Sequence, residues 1–407
     1  MVTIQDVDAL QILDSRGNPT VRVRLSTQNH TATANVPSGA STGTHEAHEL
    51  RDKGEAYNGK GVSKACQNVR TTIKNAVRGR KYSSQKQFDQ ALLNIDGTKN
   101  KERLGANAIL GCSMAFSKLH AKEQGLHTHS VFGENTETPT PYCNIINGGD
   151  HAGNQLTMQE FMIVPRGFQT FHGKTRAVTE IYHELKNLIK QRYGADATSI
   201  GDEGGFAPPI QNARDALDLI QKAIRNKAYS DQVKLAMDPA ATEFYNEEKG
   251  YNVDGTWMTP DDLLTYYEAL IHDYPIISLE DPFQEEDFER FAQLRSSVKD
   301  TCQIVGDDLT VSNTERVERA AEQNSINSLL LKVNQIGTVT EAIKAARLAQ
   351  SKGWTVMVSH RSGETEDPFI MDLAVGIGAT QVKIGAPARG ERTAKYNRLL
   401  EIEHLHK

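Results

Sequence analysis

The side chains of this chain that could do acid–base or metal chemistry recur at one kind of place, the end of a short apolar run. Leu329-Leu330-Leu331 ends at Lys332, and Val233-Lys234-Leu235-Ala236-Met237 ends at Asp238. Pro275-Ile276-Ile277-Ser278-Leu279 ends at Glu280, and Gln303-Ile304-Val305-Gly306 at Asp307. Trp354-Thr355-Val356-Met357-Val358 leads into Ser359-His360-Arg361, and Thr380-Gln381-Val382 into Lys383. Asp238, Glu280 and Asp307 offer hard oxygen ligands of the kind Mg²⁺ prefers. With Glu160 and Glu203, five carboxylates face few cations, a repulsion that a divalent metal relieves. The competing reading is a set of structural ion pairs with Lys332 and Lys383.

A buried lysine loses solvation and its pKa falls, and nearby cations press it lower, so that Lys332 could act as a base at neutral pH. Such a base suits removal of a proton α to a carboxylate. The product of that step carries two negative charges on one carboxylate, which metal ions stabilise. A carboxylic acid must then protonate a leaving hydroxyl. Glu160 or Glu203 fits, since crowded carboxylates raise one another's pKa. Arg361, together with the small-residue loop around Ser41, suits a phosphate. The spacing leads to metal-assisted proton abstraction followed by elimination.

These residues need a frame that brings strand ends together. Between the apolar runs lie stretches of helical period: Leu263, Leu264, Tyr267 and Leu270, then Phe288, Phe291 and Leu294, then Val317, Ala320 and Ala321, then Ala342, Ile343, Ala346 and Leu348. Strand then helix, repeated, predicts a parallel sheet, most simply closed into a barrel whose strand carboxyl ends share one mouth. Tyr142-Cys143-Asn144-Ile145-Ile146 and Phe161-Met162-Ile163-Val164 add two strands. Between them lies the glycine-rich loop that carries His151.

The earlier part has another rhythm. Thr20-Val21-Arg22-Val23-Arg24-Leu25 alternates at period two, and Gln28-Asn29-His30 predicts a turn into a second strand through Val36. Val62, Cys66, Val69, Ile73 and Val77 predict a helix, as do Phe88 with Leu92, and Ile109, Cys112, Phe116 and Leu119, the last stopped by Gly125. We expect an α+β domain over residues 1–135, joined near Pro139 and Pro141 to a barrel domain over 136–407.

The 407 residues leave room for a barrel of about 250 residues and another domain. A net charge of −6 points to no nucleic-acid or membrane surface. The start Met1-Val2-Thr3-Ile4-Gln5-Asp6 does not resemble a signal peptide. Scattered Cys66, Cys112, Cys143 and Cys302 read as reduced thiols of a cytoplasmic protein.

Six segments carry a specific resemblance: Asp14-Ser15-Arg16-Gly17-Asn18-Pro19-Thr20, Ser38-Gly39-Ala40-Ser41-Thr42-Gly43, Gly105-Ala106-Asn107-Ala108-Ile109-Leu110-Gly111, Gly201-Asp202-Glu203-Gly204-Gly205, Leu331-Lys332-Val333-Asn334-Gln335-Ile336-Gly337, and Ser359-His360-Arg361-Ser362-Gly363-Glu364-Thr365-Glu366-Asp367. Together they resemble the enolase family over residues of about 4 to 404. The resemblance implies an α/β fold, a C-terminal (β/α)8-type barrel with an antiparallel start plus an N-terminal α+β capping and dimerisation domain. It implies a lyase that interconverts 2-phosphoglycerate and phosphoenolpyruvate plus water in glycolysis and gluconeogenesis, using two Mg²⁺, the second arriving with substrate. Enolase-superfamily sites with a lysine or histidine base and one or two magnesium ions are themselves a general example of this chemistry.

Carried over by position, the resemblance makes Lys332 the base and Glu203 the acid, assisted by Glu160. Asp238, Glu280 and Asp307 would hold the first metal, and Ser41 would reach the second. Arg361 and Ser362 would bind phosphate, Lys383 would meet the substrate carboxylate, and His151, His360 and Gln159 would complete the pocket. Pro239, Ile384 and Gly390 depart from the usual pattern without touching these groups, though Ile384 adjoins Lys383. The family implies a homodimer. Arg22 and Glu401 stand where it usually carries glutamate and arginine, so a charge-reversed pair is expected across the interface, and Leu10 replaces another usual arginine. A sugar-acid dehydratase or racemase of the same superfamily would lack the Gly-Asp-Glu-Gly-Gly acid and the Ser41 loop. A non-catalytic protein of enolase ancestry would be marked by loss of Lys332 or Glu203, and both remain.

Overall fold

The computed structural model describes residues 1–39 and 43–407. The chain begins with β1 (Val2–Thr3), β2 (Asp6–Leu13), β3 (Pro19–Ser26) and β4 (Thr31–Asn35), and β5 (Lys81–Tyr82) returns to pair with β1. Strands β2, β3 and β4 form an antiparallel sheet in that order. The alternation of β3 puts Val21, Val23 and Leu25 fully inside. They face the helix Ala106–Gln124, where Gly111 makes a close approach possible: a Cβ there would stand 2.5 Å from a Val23 methyl. Gly125 ends that helix in the left-handed conformation, φ 66°, as its position predicted.

Strand β2 was not expected from the sequence. Its inward side carries Val7, Ala9 and the amide of Gln11, which accepts from Val62 N at 2.9 Å, while Leu10 and Leu13 lie outside at 53% and 58% exposure. The apolar residues therefore do not keep to one face. The helix expected over 62–77 is present but interrupted, with α-helical Ser63–Asn68 and Lys74–Val77 joined by a π turn at Val69–Ile73. All five residues of its predicted apolar stripe are buried.

The barrel strands are β6 (Thr140–Asn147), β7 (Glu160–Val164) and β8 (Lys234–Asp238), followed after a small antiparallel sheet of β9 (Tyr245–Asn246), β10 (Gly250–Val253) and β11 (Thr256–Met258) by β12 (Ile276–Glu280), β13 (Gln303–Gly306), β14 (Ser328–Leu331), β15 (Thr355–Ser359) and β16 (Gln381–Lys383). Eight of these close in the order β12-β13-β14-β15-β16-β6-β7-β8. The sheet is not wholly parallel, because β7 runs against both β6 and β8. Its connection from β6 contains a 3₁₀ turn, Gly149–His151, and no crossover helix, so the chain can return only antiparallel.

The leucines of β14 explain why this run reads as continuously apolar. Leu330 joins the small cluster inside the barrel with Tyr142, Met162, Val305 and Met357, whereas Leu329 and Leu331 face the helix layer. Both faces are apolar, as a strand covered on both sides requires. No helix among the described residues is long and apolar enough to cross a membrane.

Candidate active site

The ends of the barrel strands come together at one mouth, lined by His151, Gln159, Glu160, Glu203, Asp238, Asp307, Lys332, His360, Arg361, Ser362 and Lys383. Glu160 reaches it by an unusual route. It is the first residue of the reversed strand β7, paired with Asp238 at the last residue of β8, so its amino end meets its neighbours' carboxyl ends. Glu280 joins them through Lys383, whose Nζ donates to Glu280 Oε1 at 2.7 Å, Asp238 Oδ2 at 2.9 Å and Glu160 Oε1 at 3.1 Å. Burial alone would press Lys383 down, but those carboxylates hold it well above the usual lysine range. Ser41 lies outside the described residues.

Lys332 follows the last residue of β14, with its backbone N–H on Ser312 Oγ and its Nζ against Asp307 Oδ2. The sequence predicts a depressed lysine here, and the structure corrects this. Burial pushes Lys332 down, yet the touching Asp307 carboxylate outweighs it and raises it. Asp307 is itself fixed by Gln335 Nε2 at 2.8 Å on its other oxygen.

Glu203 owes its position to the glycines around it. A Cβ on Gly205 would come within 2.1 Å of Asn147 Oδ1, and one on Gly201 within 2.4 Å of the His151 carbonyl. The turn therefore packs backbone directly against the β6 end, and Asn144 Nδ2 donates to Glu203 Oε2 at 3.1 Å. His360 faces the other oxygen, Nε2 to Oε1 at 3.3 Å. Arg392 Nη1 donates to His360 Nδ1 at 2.7 Å. Arginine has no acceptor, so Nδ1 keeps its lone pair and Nε2 carries the ring proton toward Glu203. Burial drives His360 down to about 3, so the ring is neutral at physiological pH.

Glu160 and Glu203 share His151, whose Nδ1 is 3.7 Å from one oxygen of each. Burial and the Glu203 charge raise Glu160 well above the ordinary range. Burial raises Glu203 as well, but the His360 and His151 rings beside it and the Arg392 guanidinium outweigh that and hold it well below the ordinary range. Of the two, Glu160 is the carboxyl driven toward its protonated form. Crowding of these two was expected; which of them keeps the proton is not fixed by crowding.

Arg361 carries a partner that sequence reasoning missed. Its Nη1 and Nη2 fork onto Glu46 at 3.1 and 3.0 Å, and Nη1 also donates to Asn334 Oδ1 at 3.0 Å. Asp281 and Asp308 were missed too. Asp281 accepts from the backbone N–H groups of Asp307 at 2.8 Å and Asp308 at 2.7 Å, which sets the turn after β13. The signal was present as acidic doublets, Glu280-Asp281 and Asp307-Asp308, at two strand ends. Glu46 had no comparable signal, since only the folded chain brings it to Arg361.

Two groups of described residues have ligand atoms within 4.8 Å of one another: His151, Glu160 and Glu203, and Asp281, Asp307 and Asp308. Of the trio expected to hold a metal, Asp238 and Glu280 meet Lys383, and Asp307 meets Lys332. Burial and like charge raise Glu280 and Asp281 well above the carboxylate range.

The enolase N-terminal domain family model matches residues 4–131, and that of the enolase C-terminal TIM barrel domain matches residues 135–406. The chain is 50% identical to the enolase of Methanocaldococcus jannaschii over 98% of its length and 95% of the relative's. It is likewise 50% identical to the enolase of Methanopyrus kandleri, covering 99% of this chain and 96% of the other. The enolase of Methanococcoides burtonii is also 50% identical, over 98% and 95%.

Proposed function

The chain belongs to the enolase family, and from that premise we propose that its barrel mouth catalyses the reversible dehydration of 2-phosphoglycerate to phosphoenolpyruvate and water, with Lys332 as the base. One observation carries the assignment of roles. Partly buried Lys332 and the buried carboxyl pair Glu160 and Glu203 line one mouth that also holds Arg361 and Ser362.

Lys332 takes the C2 proton once its amine is deprotonated, which requires that its contact with Asp307 loosen. Glu203, helped by Glu160 and His151, delivers a proton to the departing C3 hydroxyl. His360 keeps Glu203 oriented through the Nε2 proton that Arg392 imposes. Lys383 pairs with the substrate carboxylate, and the Arg361 guanidinium leaves Glu46 for phosphate, which it can grip with two parallel hydrogen bonds. Gln159 and Ser362 complete the walls, and burial of these groups excludes water.

The family binds Mg²⁺, and the residues present fit it. Glu280 Oε2 and Glu160 Oε2 are buried with no hydrogen-bond partner among the described residues, and oxygen donors crowd beyond what the lysines neutralise. Asp238, Glu280 and Asp307 would hold one ion, and a second would arrive with substrate near Ser41. Bound there, magnesium neutralises the carboxylates and stabilises the second negative charge that develops on the substrate carboxylate.

The test is substrate choice. With Mg²⁺, the protein is expected to form phosphoenolpyruvate from 2-phosphoglycerate and to leave unphosphorylated sugar acids unchanged. Turnover of sugar acids without 2-phosphoglycerate turnover would assign the site to another member of the superfamily.

Residues 1–135 serve in this reading as the capping and dimerisation domain, in a cytoplasmic homodimer. All four cysteines are buried and outside any disulfide, which agrees with a reducing compartment. Arg22 of one chain would stand beside Glu401 of the other. Within the chain Arg22 Nε donates to Asn35 at 2.7 Å, and Glu401, 63% exposed, takes Arg398 Nη1 at 3.0 Å. Both keep a charge to offer, and exposed Leu10 lies opposite Arg22 in the β2–β3 register. Arg22→Glu is expected to weaken the dimer in sedimentation, and Arg22→Glu with Glu401→Arg to recover much of the loss. A double variant no better than the single one would remove the pair.

A further inference from the structure

Far from the barrel mouth, two His-x-His motifs meet: His127-Thr128-His129, just after the helix Ala106–Gln124, and His404-Leu405-His406, at the end of the helix Gly390–Leu405. His129 Nε2 and His406 Nε2 are 3.0 Å apart. The His127 ring lies parallel to His129, centroids 5.6 Å apart and planes 5° apart. His129 is fully buried, whereas His127 and His406 are exposed. We propose that His129 and His406, joined by His127, form a binding site for a divalent transition-metal ion such as Zn²⁺, which pins the last helix to the segment leading into the barrel.

The separation is what shared ligation requires. Two imidazole nitrogens each about 2.0–2.1 Å from one ion stand about 3 Å apart. His127 supplies a third nitrogen by side-chain rotation alone, because its ring is exposed and only stacked, and water fills the remaining position. Imidazole donors suit zinc, copper and nickel and not magnesium, so the site is chemically distinct from the carboxylate mouth.

The surroundings of His129 resemble the support that metal-bound histidines usually have. Its other ring nitrogen, Nδ1, is buried without a hydrogen-bond partner and points at Asp372 Oδ1, 3.7 Å away. Asp372 is held in turn by Arg398, through Nη2 at 2.6 Å and Nε at 2.9 Å. A carboxylate behind one ring nitrogen places the proton there and leaves Nε2 with its lone pair aimed outward. That is the tautomer a metal needs.

The test uses the full chain in excess Mg²⁺, titrated calorimetrically with Zn²⁺. The wild type is expected to bind one more Zn²⁺ per chain than His406→Ala, with His127→Ala weakening that extra site about tenfold. Zn²⁺ should also raise the melting temperature of the wild type more than that of His406→Ala, which alters only an exposed ring and should keep full activity. Equal zinc stoichiometry and equal thermal shift in wild type and His406→Ala would overturn the site and leave a plain hydrogen bond between two imidazoles.

Discussion

In Lys332→Ala, phosphoenolpyruvate formation and solvent exchange of the substrate C2 hydrogen are both expected to fall, each by about 10²–10⁴-fold, the usual contribution of a positioned general base. Glu203→Gln is expected to lose dehydration to a similar extent while keeping measurable exchange. The difference follows from the geometry. Lys332 and Glu203 belong to separate contact networks, one through Asp307 and Gln335, the other through Asn144, His360 and His151. Removing the acid leaves the base in place. Deuterium incorporation at C2 and product formation, followed in the same sample, separate the two steps. Identical exchange in the two variants would mean that the roles are wrongly divided. Glu160→Gln is the necessary companion, because Glu160 rather than Glu203 is the carboxyl that burial and its neighbour drive upward. Dehydration lost in Glu160→Gln and kept in Glu203→Gln would exchange the two.

Lys383→Met is expected to have two large effects of different origin. Activity falls because the substrate carboxylate loses its counter-charge. Separately, Glu160, Asp238 and Glu280 lose the one ammonium that all three contact. Removing one partner of a buried ion pair costs about 3–5 kcal/mol, since the partner left behind stays desolvated. The metal-free variant should therefore melt well below the wild type, and Mg²⁺ should recover part of the difference by replacing the lost charge. Thermal unfolding of both proteins with and without Mg²⁺ measures this directly. Equal melting temperatures without metal would show that Lys383 does not balance the cluster.

Much of this arrangement can be read from the chain because burial leaves a plain mark on strands. Leu329-Leu330-Leu331 is apolar on both faces, one toward the barrel interior and one toward the helices, and a charged residue directly after such a run can only stand at the mouth. The same reasoning locates Asp238, Glu280, Asp307 and Lys383. Strand direction leaves no such mark. The pattern of β7 is the same whichever way it runs, so its reversal, which brings Glu160 to the mouth by its amino end, was expected from the resemblance and its antiparallel start, not from the residues, and the pairing bears it out. Strand β2 was hidden because Leu10 and Leu13 face outward and Gln11 faces inward. Glu46 was hidden because its partner Arg361 is 315 positions away in the chain. The lysine pKa was misjudged for a related reason. Desolvation can be inferred from an apolar run, but the Asp307 carboxylate that overrides it comes from a different strand. Ser41 lies outside the described residues, so its part in metal and phosphate binding rests on the resemblance.

The central claim is that this carboxylate-rich mouth works on a substrate dianion only when divalent cations neutralise it. The direct measurement is phosphoenolpyruvate formation from 2-phosphoglycerate by the purified protein in Mg²⁺, in excess chelator, and after Mg²⁺ is restored. Product formation should fall to background on chelation and return in full when Mg²⁺ is added back. Undiminished turnover in excess chelator would contradict the account.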